Sequence, residues 1–121
     1  ASVMMYAAGA RSFMTAVDVT TYNVLSSHLA GEDYFTACEP RYLDEGYRYR
    51  TLLKKLREDL DKRSIICLQE VSQIWESRLH AVFAKEGYYF ITQLYGRPFN
   101  NYMGVGIAVP LDRYRIQDVN L

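Results

Sequence analysis

The chain has 121 residues, 50% hydrophobic and 23% charged, and its 14 basic and 14 acidic side chains cancel to a formal net charge of zero. These are the proportions of an ordinary folded domain. The neutral balance argues against broad, charge-driven binding to nucleic acid, leaving only a local basic patch open, and no apolar run approaches the roughly 20 residues of a membrane span.

Residues Ala1 to Ala10 are small and apolar but follow no basic stretch, which argues against a signal peptide. Phe13 to Val24 holds Phe13, Val17, Val19, Thr20, Thr21, Tyr22 and Val24, the β-branched and aromatic content of a strand. Ser26 to Glu45 has no clean period and reads as a loop around Gly31 and Pro40. Tyr49 to Lys62 is a predicted helix in which Leu52, Leu53, Leu56 and Leu60 form one apolar stripe, with charged residues on the other face. Ser64 to Gln69 is a short buried strand. Gln73 to Glu86 is a second helix with Trp75, Leu79, Val82 and Phe83 inward, stopped by Gly87 at a position that suits glycine. Tyr88–Leu94 and Tyr102–Val109 are strands joined by the turn-rich segment Gly96–Asn101, Pro110 closes the second, and Tyr114–Leu121 begins another.

Ile65-Ile66-Cys67-Leu68 and Val105-Gly106-Ile107-Ala108-Val109 are apolar at consecutive positions, which requires burial on both faces. The strands Phe13–Val24, Ser64–Gln69, Tyr88–Leu94 and Tyr102–Val109 are expected in one sheet with both helices on the same face. Nothing in the chain is expected to cover the opposite face, so the fold class is α/β with a layer missing. Of the two cysteines, Cys67 reads as a small core residue and Cys38 as a loop residue. A disulfide between them stays open, but one pair is no disulfide framework, and the expected compartment is reducing, cytoplasmic or nuclear.

Chemistry enters at Gln69-Glu70, placed at the end of an apolar strand. A carboxylate beside such a run is costly unless something positive meets it. A divalent cation is one such partner, and Mg²⁺ accepts a single carboxylate together with waters and phosphate. The plainer reading is a solvated acid just past a strand end.

Two segments shift that balance. Thr21-Tyr22-Asn23-Val24-Leu25 followed by Ile65-Ile66-Cys67-Leu68-Gln69-Glu70-Val71 resembles the start of the endonuclease/exonuclease/phosphatase superfamily of Mg²⁺-dependent phosphoesterases. Between them, Gly46-Tyr47-Arg48-Tyr49-Arg50 resembles the W-x-Y-R segment of the deadenylase-like branch, which includes nocturnin and the Angel proteins. Tyr102-Met103-Gly104-Val105-Gly106 resembles the Y-x-G-V-G strand of the apurinic endonucleases. The resemblance spans about Phe13 to Leu121. The superfamily's later D-x-N and D-H motifs have no counterpart here, so the resemblance implies the N-terminal half of a four-layer α/β/β/α sandwich (DNase I-like), to be completed by a C-terminal half of the same domain.

The resemblance further implies Glu70 as the metal ligand, for Mg²⁺ or alternatively Mn²⁺, and Asn23 as the residue holding the metal site and phosphate. Tyr102 would donate to the phosphate in the apurinic branch only, and Arg97 beside it has a solvated reading as well. The implied activity is Mg²⁺-dependent phosphodiester hydrolysis, an RNA 3′-end exonuclease acting on single-stranded RNA. The alternatives are an apurinic-type DNA endonuclease and a non-catalytic binding or structural module. The superfamily's catalytic histidine belongs to the absent half, so His28 and His80 read as surface or helix-packing residues. The run Arg41, Tyr42, Tyr47, Arg48, Tyr49, Arg50 suits an RNA clamp, but the stronger reading has Tyr47, Tyr49 and Arg50 packing the start of a helix.

Overall fold

The structure, a computed structural model, describes residues 2–7, 16–95 and 103–121. Strand β1 is Ser2–Ala7, β2 Val19–Asn23, β3 Ile65–Ser72, β4 Tyr88–Tyr95, β5 Met103–Pro110 and β6 Tyr114–Asn120; helix α1 is Pro40–Leu43, α2 Glu45–Asp61 and α3 Gln73–Lys85. Four strands form one sheet in the order β2-β3-β5-β4, with β2 and β3 parallel and the other pairs antiparallel. This is the expected sheet. Tyr49, Leu52, Leu56 and Leu60 of α2 share one buried cluster with Trp75, Leu79 and Phe83 of α3 and with Ile66, Leu68, Phe90 and Ala108 of the sheet, so both helices lie on one face. No helix among the described residues is long and apolar enough to cross a membrane.

The opposite face is not bare, contrary to the sequence expectation. β1 and β6 pair antiparallel as a second, two-stranded sheet. Its Met5, Tyr114 and Ile116 pack against Ile65, Cys67, Ile107 and Val109. A strand in the first ten residues was not expected because its partner lies at the far end of the chain, Val3 opposite Val119. Elsewhere on this face Val19 is 60% and Tyr89 48% exposed.

Several boundaries differ, each for a local reason. α2 starts at Glu45 rather than Tyr49, because the Asp44 side chain accepts from the Tyr47 N–H at 2.7 Å and caps the first turn. The segment read as a loop includes the single turn α1 with Pro40 at its start, and a 3₁₀ turn at Ser27–Leu29. β2 begins at Val19; the part of the expected strand around Phe13, like the whole Gly96–Asn101 turn, falls outside the described residues. α3 stops as expected, with Gly87 taking φ +73° after its end, and its first turn is capped by the Ser72 hydroxyl, which accepts from the Trp75 N–H.

The glycines of the G-V-G segment have a packing cause. A Cβ on Gly104 would lie 2.2 Å from the Gln93 carbonyl oxygen and 2.7 Å from the Leu94 Cα, and one on Gly106 would lie 2.5 Å from the Phe90 ring. Backbone cannot yield as a flexible side chain can. Gly104→Ala is expected to cost about 2 kcal/mol or more, which lowers the melting temperature by about 8 °C. A thermal melt within about 2 °C of wild type would contradict this close approach.

Candidate metal and phosphate site

The parallel pairing of β2 with β3 ends with Asn23 opposite Gln69, which brings Glu70 beside Asn23. β3 does not stop there, as the sequence suggested, but runs to Ser72. It does so through a bulge: Gln69 pairs with Val105 and Val71 with Gly104, leaving Glu70 unpaired between them. Glu70 takes φ +57°, in the left-handed region, at a cost of about 1 kcal/mol for a residue with a Cβ. The extra residue re-aims the side chain, and the Asn23 Nδ2 donates to Glu70 Oε1 at 2.7 Å.

The amide orientation of Asn23 follows from both of its partners. Its Oδ1 accepts from the Leu25 N–H at 2.9 Å, and the reverse orientation would set oxygen against the carboxylate. Leu25 also has positive φ, +52°. Of the three described non-glycine residues in that region, one is therefore Glu70 itself and another lies two residues after Asn23; strain concentrated at one place points to a site.

One side chain missed by sequence reasoning holds this loop. Arg48 reaches from α2, and its Nη2 donates to the carbonyls of Val24, at 2.9 Å, and of Leu25. The guanidinium lies 5.2 Å over the Trp75 ring. Burial pulls its pKa below the ordinary value, opposed by the Glu45 carboxylate. Glu45 in turn accepts from the Trp75 indole N–H and from Arg78, whose guanidinium sits 3.7 Å over the Tyr49 ring. The sequence reading assigned the packing role to Tyr47, Tyr49 and Arg50. Only Tyr49 is buried; Tyr47 and Arg50 are exposed. Starting the helix at Glu45 would have revealed this, since Arg48 then lies within it, one turn before buried Leu52.

Glu70 Oε2 is buried and has no hydrogen-bond partner among the described residues. An uncompensated carboxylate oxygen is costly. It fits one position in the shell of a hard cation that keeps several waters, as Mg²⁺ does. Among the described residues no cluster of three acid, histidine or cysteine side chains exists to complete such a shell. Among the described residues the fit to a metal is thus one anionic oxygen, oriented by Asn23.

The remaining candidates separate cleanly. Tyr102 and Arg97 lie outside the described residues. His28 is exposed in the 3₁₀ turn after the pair, and His80 packs α3 on the sheet, 3.4 Å from Thr92 Oγ1 and 4.9 Å between ring centres from Phe90. Both cysteines are free. Arg41 stacks on its neighbour Tyr42 and pairs with Glu39. Tyr42, Tyr47, Arg48 and Trp75 line a cavity of about 260 Å³ that also touches Asn23.

No family model and no curated protein matches the sequence. Solved structures that share its fold include two of ANGEL2. The crystal structure of ANGEL2, a 2′,3′-cyclic phosphatase, aligns with a TM-score of 0.68 and 20% identity over 98% of this chain and 30% of that one. ANGEL2 in complex with adenosine-2′,3′-vanadate aligns with a TM-score of 0.71 and 21% identity over 99% and 33%. The chain spans about a third of the length of these structures. It therefore has the mixed α/β, two-sheet architecture expected for part of the four-layer sandwich.

Proposed function

We propose that this chain carries the metal-holding edge of a Mg²⁺-dependent phosphodiesterase or phosphatase that acts on the phosphate-bearing ends of nucleic acid, with single-stranded RNA as substrate. The observation that carries this reading is the Asn23–Glu70 pair, which leaves one buried carboxylate oxygen without a partner on a fold shared with a 2′,3′-cyclic phosphatase. Glu70 would hold the ion (Mg²⁺, with Mn²⁺ a substitute), which when bound would supply Lewis-acid polarisation of the phosphoryl group and charge stabilisation of the leaving oxygen. Glu70 supplies one anionic ligand. Asn23 fixes its side chain, and Arg48 holds the loop behind Asn23 by two carbonyls. In this reading the other ligands and the water-activating base come from the C-terminal half of the same domain.

The packing account of Gly104 and Gly106 removes the need for a DNA-specific explanation of that segment, so the apurinic alternative has less support. The alternative of a non-catalytic module shares the lack of a three-ligand cluster among the described residues, so activity separates the two. The test uses the full-length natural protein with three substrates: RNA ending in a 2′,3′-cyclic phosphate, poly(A), and an abasic DNA duplex. Hydrolysis of an RNA end that is abolished by chelation and restored by Mg²⁺ is expected. Cleavage of the abasic duplex alone would select the DNA reading, and inertness toward all three the module.

A further inference from the structure

A second cleft opens on Glu70 from the other side of the pair. Leu25, Leu29, Tyr34, Phe35 and Glu70 line a cavity of about 340 Å³, within the range of small-ligand pockets. The turn bearing the two aromatics is tied down. The Gly31 carbonyl accepts from the N–H groups of Tyr34 and Phe35, at 3.2 and 3.0 Å, and the Cys38 N–H donates to the Phe35 carbonyl at 2.9 Å. Phe35 meets the Tyr34 ring edge-on, 5.1 Å between centres at 75°. Yet Tyr34 is 81% exposed. A ring carried on a tied-down turn but left uncovered, in a cleft whose lining includes one acid, offers a stacking surface for a planar aromatic group.

We propose that this cleft seats the nucleobase of the nucleotide whose phosphate meets Glu70, so that the substrate is a base-bearing, unpaired end. The proposal rests on the reading of Glu70 given above, and its test separates the two. Adenosine 5′-monophosphate and ribose 5-phosphate are titrated into the full-length protein in Mg²⁺ by calorimetry. The nucleotide is expected to bind about tenfold or more tighter, the gain of one stacked base. Tyr34→Ala is expected to erase that difference and Tyr34→Phe to keep it; at this exposure neither substitution threatens the fold. Glu70→Gln or chelation should weaken both ligands alike. A base preference that is absent, or that survives Tyr34→Ala, overturns the stacking site. A preference lost in Tyr34→Ala, with both ligands indifferent to Glu70→Gln and to chelation, keeps the stacking site and overturns the metal reading. Binding of neither ligand overturns both.

Discussion

Glu70→Gln in the full-length protein is expected to leave the fold intact and to lower Mg²⁺-dependent kcat/KM by on the order of 10³-fold, the equivalent of the several kcal/mol that a correctly held metal supplies. Glutamine matches glutamate in shape and can still accept from the Asn23 amide, so the hydrogen bond at 2.7 Å can persist. What disappears is the charge on the buried Oε2, and an uncharged amide is a poor ligand for a hard cation. Asn23→Ala acts one step further out. It removes the group that orients Glu70 and the bond to the Leu25 N–H, and a loss of about 10- to 100-fold is expected, the usual effect of removing an orienting partner. Titrating Mg²⁺ against turnover distinguishes the two, because the Asn23 variant should regain rate at higher metal whereas the Glu70 variant should not. Near-wild-type turnover by Glu70→Gln would sink the metal assignment.

The parts of this site that were legible in the sequence are those written in apolar patterning. Ile65–Leu68 announces a strand buried on both faces, and Leu52, Leu56 and Leu60 announce the helix that covers it; Asn23 and Glu70 came from the family resemblance, and that their strands are neighbours came from the β2–β3 pairing. The bulge was not legible. Positive φ is advertised by glycine or asparagine, and a glutamate held there by surrounding strands carries no such mark. β1 was missed because a strand is defined by its partner, and Ser2 pairs with Asn120, the widest separation the fold offers. The role of Arg48 was missed because the expected helix began at Tyr49, one residue after it, whereas the Asp44 cap carries α2 back through Arg48.

The 121-residue chain made alone is expected to show no phosphodiester hydrolysis and to bind Mg²⁺ only weakly. Its site offers one carboxylate oxygen, and Mg²⁺ gives up its waters reluctantly for so few ligands. The same chain should also self-associate. β2 and β4 are the edges of the four-stranded sheet, and the side chains of Val19, Tyr89 and Tyr95 on the face away from the helices are 60%, 48% and 45% exposed. Unprotected edges beside apolar surface invite pairing with another copy. The β1–β6 sheet already covers one end of this face, so a further sheet from the C-terminal half would extend a surface that exists rather than build a new one. Adding that half as a separate polypeptide is therefore expected to restore turnover and, in sedimentation, to replace the self-associated species with a one-to-one complex. Full Mg²⁺-dependent activity from a monodisperse monomer of this chain would overturn the expectation, and would mean that the missing acid and base lie within these 121 residues.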